Sequence, residues 1–287
     1  MEVNCEGCAG CCLDWRALAP QGTDHGHERR GSYRPLDDVA NLAPLSSDEV
    51  RAFLDAGLAG ALVARLFRIE DGPSVTVGGV EVAAVRGRPA FLVGLRKVPK
   101  PVAPFDAEPR WLPTCAFLDP ETLQCRIHGD DVYPGTCATY PGDNLALDAE
   151  TECERVERAH GGDRLLDDEP PDGAGPVLGP GAVGARVFGH PDADRIEGAV
   201  ERLAADEATR ADHAEFVAVA AASAPGTLAV SDERYERARE RALDADSWVD
   251  GAIAEWTDRA DEEPPDPATA AAVEGDRGAP GTPGWED

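Results

Sequence analysis

Eight cysteines in two groups constrain this chain more than any other feature. Cys5, Cys8, Cys11 and Cys12 lie within one glycine-rich octet, CEGCAGCC. About a hundred residues without cysteine follow, and then come Cys115, Cys125, Cys137 and Cys153. Two residues between Cys5 and Cys8, and again between Cys8 and Cys11, let tight turns point several sulfurs at one ion. Gly7 and Gly10 are expected to supply the positive φ of those turns. Backbone N–H groups of such turns also stabilise thiolates. Disulfides fit poorly, because so compact a cluster would be strained if paired internally and a reducing compartment keeps thiols free. Burial as small hydrophobes does not explain four thiols in one octet. The expected chemistry is metal binding.

Composition narrows the surroundings of that site. The chain has 287 residues, a length for one or two domains, and 42% of them are hydrophobic, enough for a real core. The net charge is −28, which argues against nucleic acid as a partner. The longest apolar run, Phe216 to Ala222, is far too short to cross a bilayer. Met-Glu-Val-Asn-Cys at the start has no basic n-region or apolar h-region, so a cytoplasmic protein with no membrane partner is expected. Lys97 and Lys100 are the two lysines; the other 25 basic residues are arginine. Hydrated carboxylates with few lysines suit a salt-loving archaeon, where molar salt screens self-repulsion.

Along the chain, residues 1–160 are read as a cysteine-cluster domain and 161–190, rich in Gly, Pro and Asp, as a linker. Residues 191–260 are read as a helical region and 261–287 as a disordered acidic tail. Ser46 with Glu49 is a capping box that opens a helix through Val50, Phe53 and Leu54, with Gly57 as its stop. A second helix is expected over Leu58 to Ile69. VTV, Gly78-Gly79 and VEVAAV signal a β-hairpin, and residues 90–95 a further strand. Ile196, Val200 and Leu203, then Phe216, Val217 and Val219, then Tyr235, Ala238, Ala242, Val249, Ile253 and Trp256 recur at helical spacing.

The second cysteine group reads Cys115-Ala-Phe-Leu-Asp, Cys125-Arg-Ile-His128 and Pro134-Gly-Thr-Cys137-Ala-Thr-Tyr140-Pro141. With the N-terminal CxxCxxCC, this order resembles the YkgJ-type cysteine-cluster family, described as zinc- or iron-chelating proteins. The match covers roughly residues 5–153 and departs at Tyr133, where the family usually has arginine. The resemblance implies that Cys5, Cys8, Cys11, Cys12, Cys115, Cys125, Cys137 and Cys153 assemble a metal centre. The fold class expected with it is α+β: a small irregular metal-centred domain with a β-hairpin and a few helices, plus a C-terminal helical appendage.

Soft thiolate ligation excludes magnesium and calcium but leaves zinc and iron–sulfur open. CxxCxxC with one remote cysteine is the commoner arrangement for iron–sulfur, which tips the reading that way. Cys11 and Cys12 are adjacent and cannot easily face one ion. A ligand from the second group is therefore expected to complete the shell, and removing residues 190–287, which hold no cysteine, to leave metal content unchanged. His128 is expected beside a thiolate rather than on the metal. His25 and His27 read as an exposed loop; His160, His190 and His213 have no evident partners. Residues 86–110 carry Arg86, Arg88, Arg96, Lys97, Lys100 and Arg110 and run into Cys115, where cations would offset thiolate charge. The chain has no CxxxCxxC, no GxGxxG loop following a strand, no GxxxxGK[ST] and no HExxH. The expected function is metal binding without demonstrable catalysis, with an unidentified protein partner possible. An iron–sulfur enzyme in electron transfer or protein modification is the alternative.

Overall fold

The computed structural model describes residues 1–287 except 26–32, 178, 261 and 284–287. A short strand, β1 (Glu2–Val3), precedes the cysteine octet, and β2 (Tyr33–Pro35) precedes α1 (Ser47–Asp55). The capping box forms: Glu49 N–H donates to Ser46 Oγ at 3.2 Å and Ser46 N–H to the Glu49 carboxylate at 2.6 Å. Val50, Phe53 and Leu54 are the buried face of α1, as their spacing requires.

Four strands follow: β3 (Leu62–Ile69), β4 (Ser74–Val77), β5 (Val80–Val85) and β6 (Arg88–Leu95). They pair antiparallel in the order β2-β3-β6-β5-β4. The hairpin of β4 and β5 turns on Gly78 and Gly79, both at positive φ (54° and 80°), the conformation a two-residue hairpin loop demands. The helix expected over Leu58 to Ile69 is instead a single 3-10 turn (Ala59–Ala61) followed by β3. Leu62, Ala64 and Leu66 alternate onto a buried face, and pairing with β6 from Leu62↔Leu95 to Leu66↔Phe91 decides the conformation.

The basic segment becomes a separate antiparallel ribbon of β7 (Lys97–Val102) and β8 (Arg110–Cys115), in register from Lys97↔Cys115 to Val102↔Arg110. Three short helices, α2 (Gly135–Ala138), α3 (Gly142–Ala146) and α4 (Glu152–His160), carry the chain past Cys137 and Cys153. Within residues 161–190 lie β9 (Leu165–Asp167), which pairs with β1, and β10 (Phe188–Gly189), which pairs with β6. The β1–β9 pairing and an ion pair from the Met1 ammonium to Asp167 at 3.1 Å tie down the N-terminus.

The remaining helices are α5 (Glu197–Ala204), α6 (Arg210–Ala222), α7 (Asp232–Asp244), α8 (Trp248–Ala260) and α9 (Pro267–Asp276). The last lies inside the acidic 261–287 segment. No helix among the described residues is long and apolar enough to cross a membrane.

Two further expectations about the fold are corrected. Helices α5–α7 are no appendage, because Val200, Phe216, Val217 and Tyr235 belong to the same buried cluster as Phe53, Leu62, Phe91 and Val93. Phe91 lies 5.5 Å from Phe188 and 5.0 Å from Phe216, ring centre to ring centre, so sheet and helices interlock. Burying each such ring contributes roughly 1.5–3 kcal/mol. Nor is the fold metal-centred: among the described residues no three His, Cys, Asp or Glu side chains are placed to hold one metal ion. The architecture is α+β, an antiparallel sheet and helices around an apolar core.

Candidate functional site

The octet folds as two successive tight turns. Cys8 N–H donates to Cys5 C=O at 3.1 Å and Cys12 N–H to Ala9 C=O at 2.8 Å. Gly7 takes positive φ (62°) as expected, but its second-turn counterpart is Ala9 (51°) and not Gly10. Gly10 is required for another reason: a Cβ there would meet Val156 Cγ2 of α4 at 2.7 Å. The octet thus seats directly on the helix that carries Cys153.

Backbone hydrogen bonds join the two cysteine groups. Cys115 N–H donates to Cys12 C=O at 2.7 Å, and Asp14 N–H to Pro113 C=O at 2.7 Å. After β8 the chain hairpins back so that Leu118 bridges Cys125, and Arg126 N–H donates to Phe117 C=O at 2.9 Å. Cys137 rides on α2, whose N-terminal Gly135 N–H is held at 2.6 Å by the Glu49 carboxylate, the same group that caps α1. Cys153 sits in the first turn of α4, capped reciprocally by Thr151 and Glu154.

All eight cysteines are free thiols; Cys8 is buried, Cys11 exposed and the others half-buried. Burial pushes up the thiols of Cys5, Cys8, Cys115, Cys125, Cys137 and Cys153, reaching about 12 at Cys5, Cys125 and Cys153. In each of the six, the charge of Cys11 pushes the same way. Cys11 and Cys12, with Sγ atoms 3.8 Å apart, share a hydrogen bond that pulls Cys11 down and pushes Cys12 up. The thiols are therefore gathered within electrostatic reach of one sulfur, although they are not closed into a coordination shell.

Cations line this region unequally. Lys97, opposite Cys115 in the ribbon, has a buried Nζ with no acceptor among the described residues. Burial pushes its pKa down, while Cys12, Cys115 and Cys11 favour its charge. Lys100 is fully buried and fully engaged. It donates to Ala116 and Leu118 C=O at 2.8 and 2.7 Å, pairs with Glu274 at 2.7 Å and lies 4.5 Å over the Trp256 ring. Glu274, from α9, also takes Arg126 Nε at 2.5 Å, and Arg126 pairs with Asp119 at 3.0 Å. The hairpin bearing Cys115 and Cys125 is thus pinned by a carboxylate from the acidic C-terminal segment.

Sequence reasoning missed Glu274. One signal for it existed, since two lysines in so arginine-rich a chain mark positions where a compact ammonium is needed. It also missed Arg164, whose charge eases the thiols of Cys5 and Cys8 downward and whose Nη1 donates to Glu6 C=O at 3.1 Å. His128 is exposed, its ring edge-on to Tyr133 at 4.9 Å. His25 lies against Trp15 at 5.4 Å, and His160 stacks on Phe105 at 4.4 Å. His190 meets Glu215 at 3.2 Å, and His27 lies outside the described residues.

A family model described as a family of unknown function, DUF7531, matches residues 1–286. No curated protein and no solved structure matches the chain.

Proposed function

The chain belongs to a family of unknown function, DUF7531, and from its own residues we propose that it is a metal-binding protein. Its thiolates, drawn from Cys5, Cys8, Cys11 and Cys12 and from Cys115, Cys125, Cys137 and Cys153, hold an iron–sulfur cluster or zinc. One observation carries this reading. The seven other free thiols, from distant parts of the chain, lie within electrostatic reach of Cys11, and a buried ammonium of the same region, Lys97, has no acceptor among the described residues. A thiolate-rich group is anionic, and it supplies the partner that Lys97 lacks. The donor chemistry fits soft metals alone, and each ligating thiol must lose its proton on binding. Bound zinc supplies a structural tie; bound iron–sulfur supplies an electron carrier as well.

The reading goes with a reducing, cytoplasmic setting, in which these thiols stay free. Full-length protein purified without oxygen is the test, with metal analysis and a visible spectrum. Stoichiometric iron with a broad brown absorbance identifies a cluster, and stoichiometric zinc in colourless protein identifies zinc. Metal-free protein that takes up neither, with all eight thiols open to a thiol reagent, overturns the reading.

A further inference from the structure

Away from the cysteines, a cavity of about 70 Å³ opens where α6, α8 and the turn before β3 meet. Its lining includes Gly60, Arg96, Arg210, His213 and Asp250. Arg96 lies between β6 and β7, Arg210 and His213 in the first turn of α6, and Asp250 on α8.

The polar groups here do not balance. Arg210 pairs with Asp250 Oδ1 and donates to Ala245 C=O. The other oxygen, Asp250 Oδ2, is taken by Ser247 through its N–H at 3.1 Å and its Oγ–H at 2.7 Å. Nothing comparable reaches Arg96, whose shielded Nε meets no acceptor among the described residues. Burial works against its charge, Asp250 favours it and Arg210 opposes it. His213 accepts Ala64 N–H on Nδ1 at 3.2 Å, which places its own proton on Nε2. Burial first and Arg96 second push its pKa down to about 3, so the ring is a neutral donor. Two guanidinium groups against one carboxylate, already occupied on both oxygens, leave one surplus positive charge in a chain of net charge −28.

We propose that this cavity binds a small oxyanion between Arg96 and Arg210. Planar guanidinium groups match the oxygen spacing of phosphate, sulfate or a carboxylate, and such an anion supplies the acceptor that Arg96 lacks. The volume admits one such ion; cofactor-sized ligands fill several hundred Å³. Gly60 keeps the geometry, because a Cβ there would lie 2.1 Å from Asp250 Oδ1.

The experiment uses the full chain and inorganic phosphate. Titrated protein broadens the phosphorus resonance of free phosphate, and sulfate reverses the broadening. In thermal melts at fixed ionic strength, phosphate, sulfate and acetate are compared in wild type and Arg96→Gln. The expected result is saturable stabilisation of wild type and binding about tenfold or more weaker in the variant. A response to acetate alone assigns the site to a carboxylate; responses to phosphate and sulfate assign it to inorganic oxyanions. Equal stabilisation of both proteins is the general effect of an excluded salt and overturns the proposal. If Arg96→Gln does not fold, wild type decides alone, and an unbroadened phosphorus line together with no saturable stabilisation by acetate overturns it.

Discussion

Lys97 and Lys100 stand three residues apart on one strand, and the period of two sends them to opposite faces. Both lie close enough to Cys115 to feel its charge. Around Lys100 the fold closes every bond, with two carbonyls, an aromatic face and the buried carboxylate of Glu274. Around Lys97 it closes none among the described residues, and the charges of Cys12, Cys115 and Cys11 favour its protonated form. A permanent ion cluster is finished by the chain itself. The cysteine region instead keeps a buried ammonium that meets no acceptor among the described residues.

That contrast breaks most visibly with pH. A thiol with a raised pKa in the folded chain keeps its proton after the unfolded chain, near the ordinary value of about 8.5, has lost it. Folded metal-free protein therefore binds more protons than unfolded protein from that pH upward, and its stability falls as pH climbs toward about 12, the value at Cys5, Cys125 and Cys153. Loaded protein, its ligating thiols already deprotonated, escapes this alkaline loss and is threatened by acid instead. Circular dichroism from neutral to alkaline pH, with and without zinc, checks it. Superimposable profiles would show that the raised thiols are not the ligands.

The finished cluster should respond to mutation with the opposite sign from the open one. Glu274→Gln leaves Lys100 and Arg126 buried without their carboxylate and is expected to lose about 3–5 kcal/mol in urea unfolding. Because the same carboxylate pins the hairpin of Cys115 and Cys125, metal retention should fall with it. Removal of residues 190–287, which the cysteine count alone predicts to be harmless, should therefore be costly. Lys97→Met removes an unsatisfied amine and should stabilise metal-free protein by about 1 kcal/mol while weakening metal retention. A Lys97→Met protein less stable without metal would place an unseen partner on that amine.

The parts of this molecule that were legible in the sequence are those set by neighbours in the chain. Ser46 and Glu49 are three residues apart, and Gly78 and Gly79 form the whole hairpin turn, so α1 and β4–β5 follow from local chemistry. Leu62 to Ile69 misleads because its apolar residues satisfy helical spacing as well as alternation, and only β6, some thirty residues on, decides between them. The two cysteine groups announced their residue type, and their proximity shows only in the fold, through the backbone bond from Cys115 to Cys12. The groups that pin them, Arg164 and Glu274, lie in stretches whose Gly, Pro and acidic composition reads as linker and tail. Composition reports the average of a segment, and a buried carboxylate is a property of one residue and its distant partners.

The smallest expected effect marks the outer limit of the comparison. Arg237 and Glu233 form an ion pair at 2.5 Å, one turn apart on α7, with their side chains 56% and 82% exposed. The geometry is as short as that of Arg126 and Glu274, yet water competes for both groups and two long side chains must be held still. Arg237→Gln should therefore lose no more than about 0.5 kcal/mol at low salt. Removing a cation also takes the chain from −28 to a more negative charge, so part of that loss is long-range repulsion and not the pair itself. The two contributions separate with potassium chloride. Repulsion over many ångströms vanishes as the Debye length shrinks to about 3 Å in molar salt, whereas the loss at Glu274, buried away from ions, should persist. Melting curves of wild type, Arg237→Gln and Glu274→Gln from low to molar salt make the test. If the Glu274 loss faded with salt as the Arg237 loss does, the cluster around Lys100 would be solvated, and its difference from the environment of Lys97 would be one of degree.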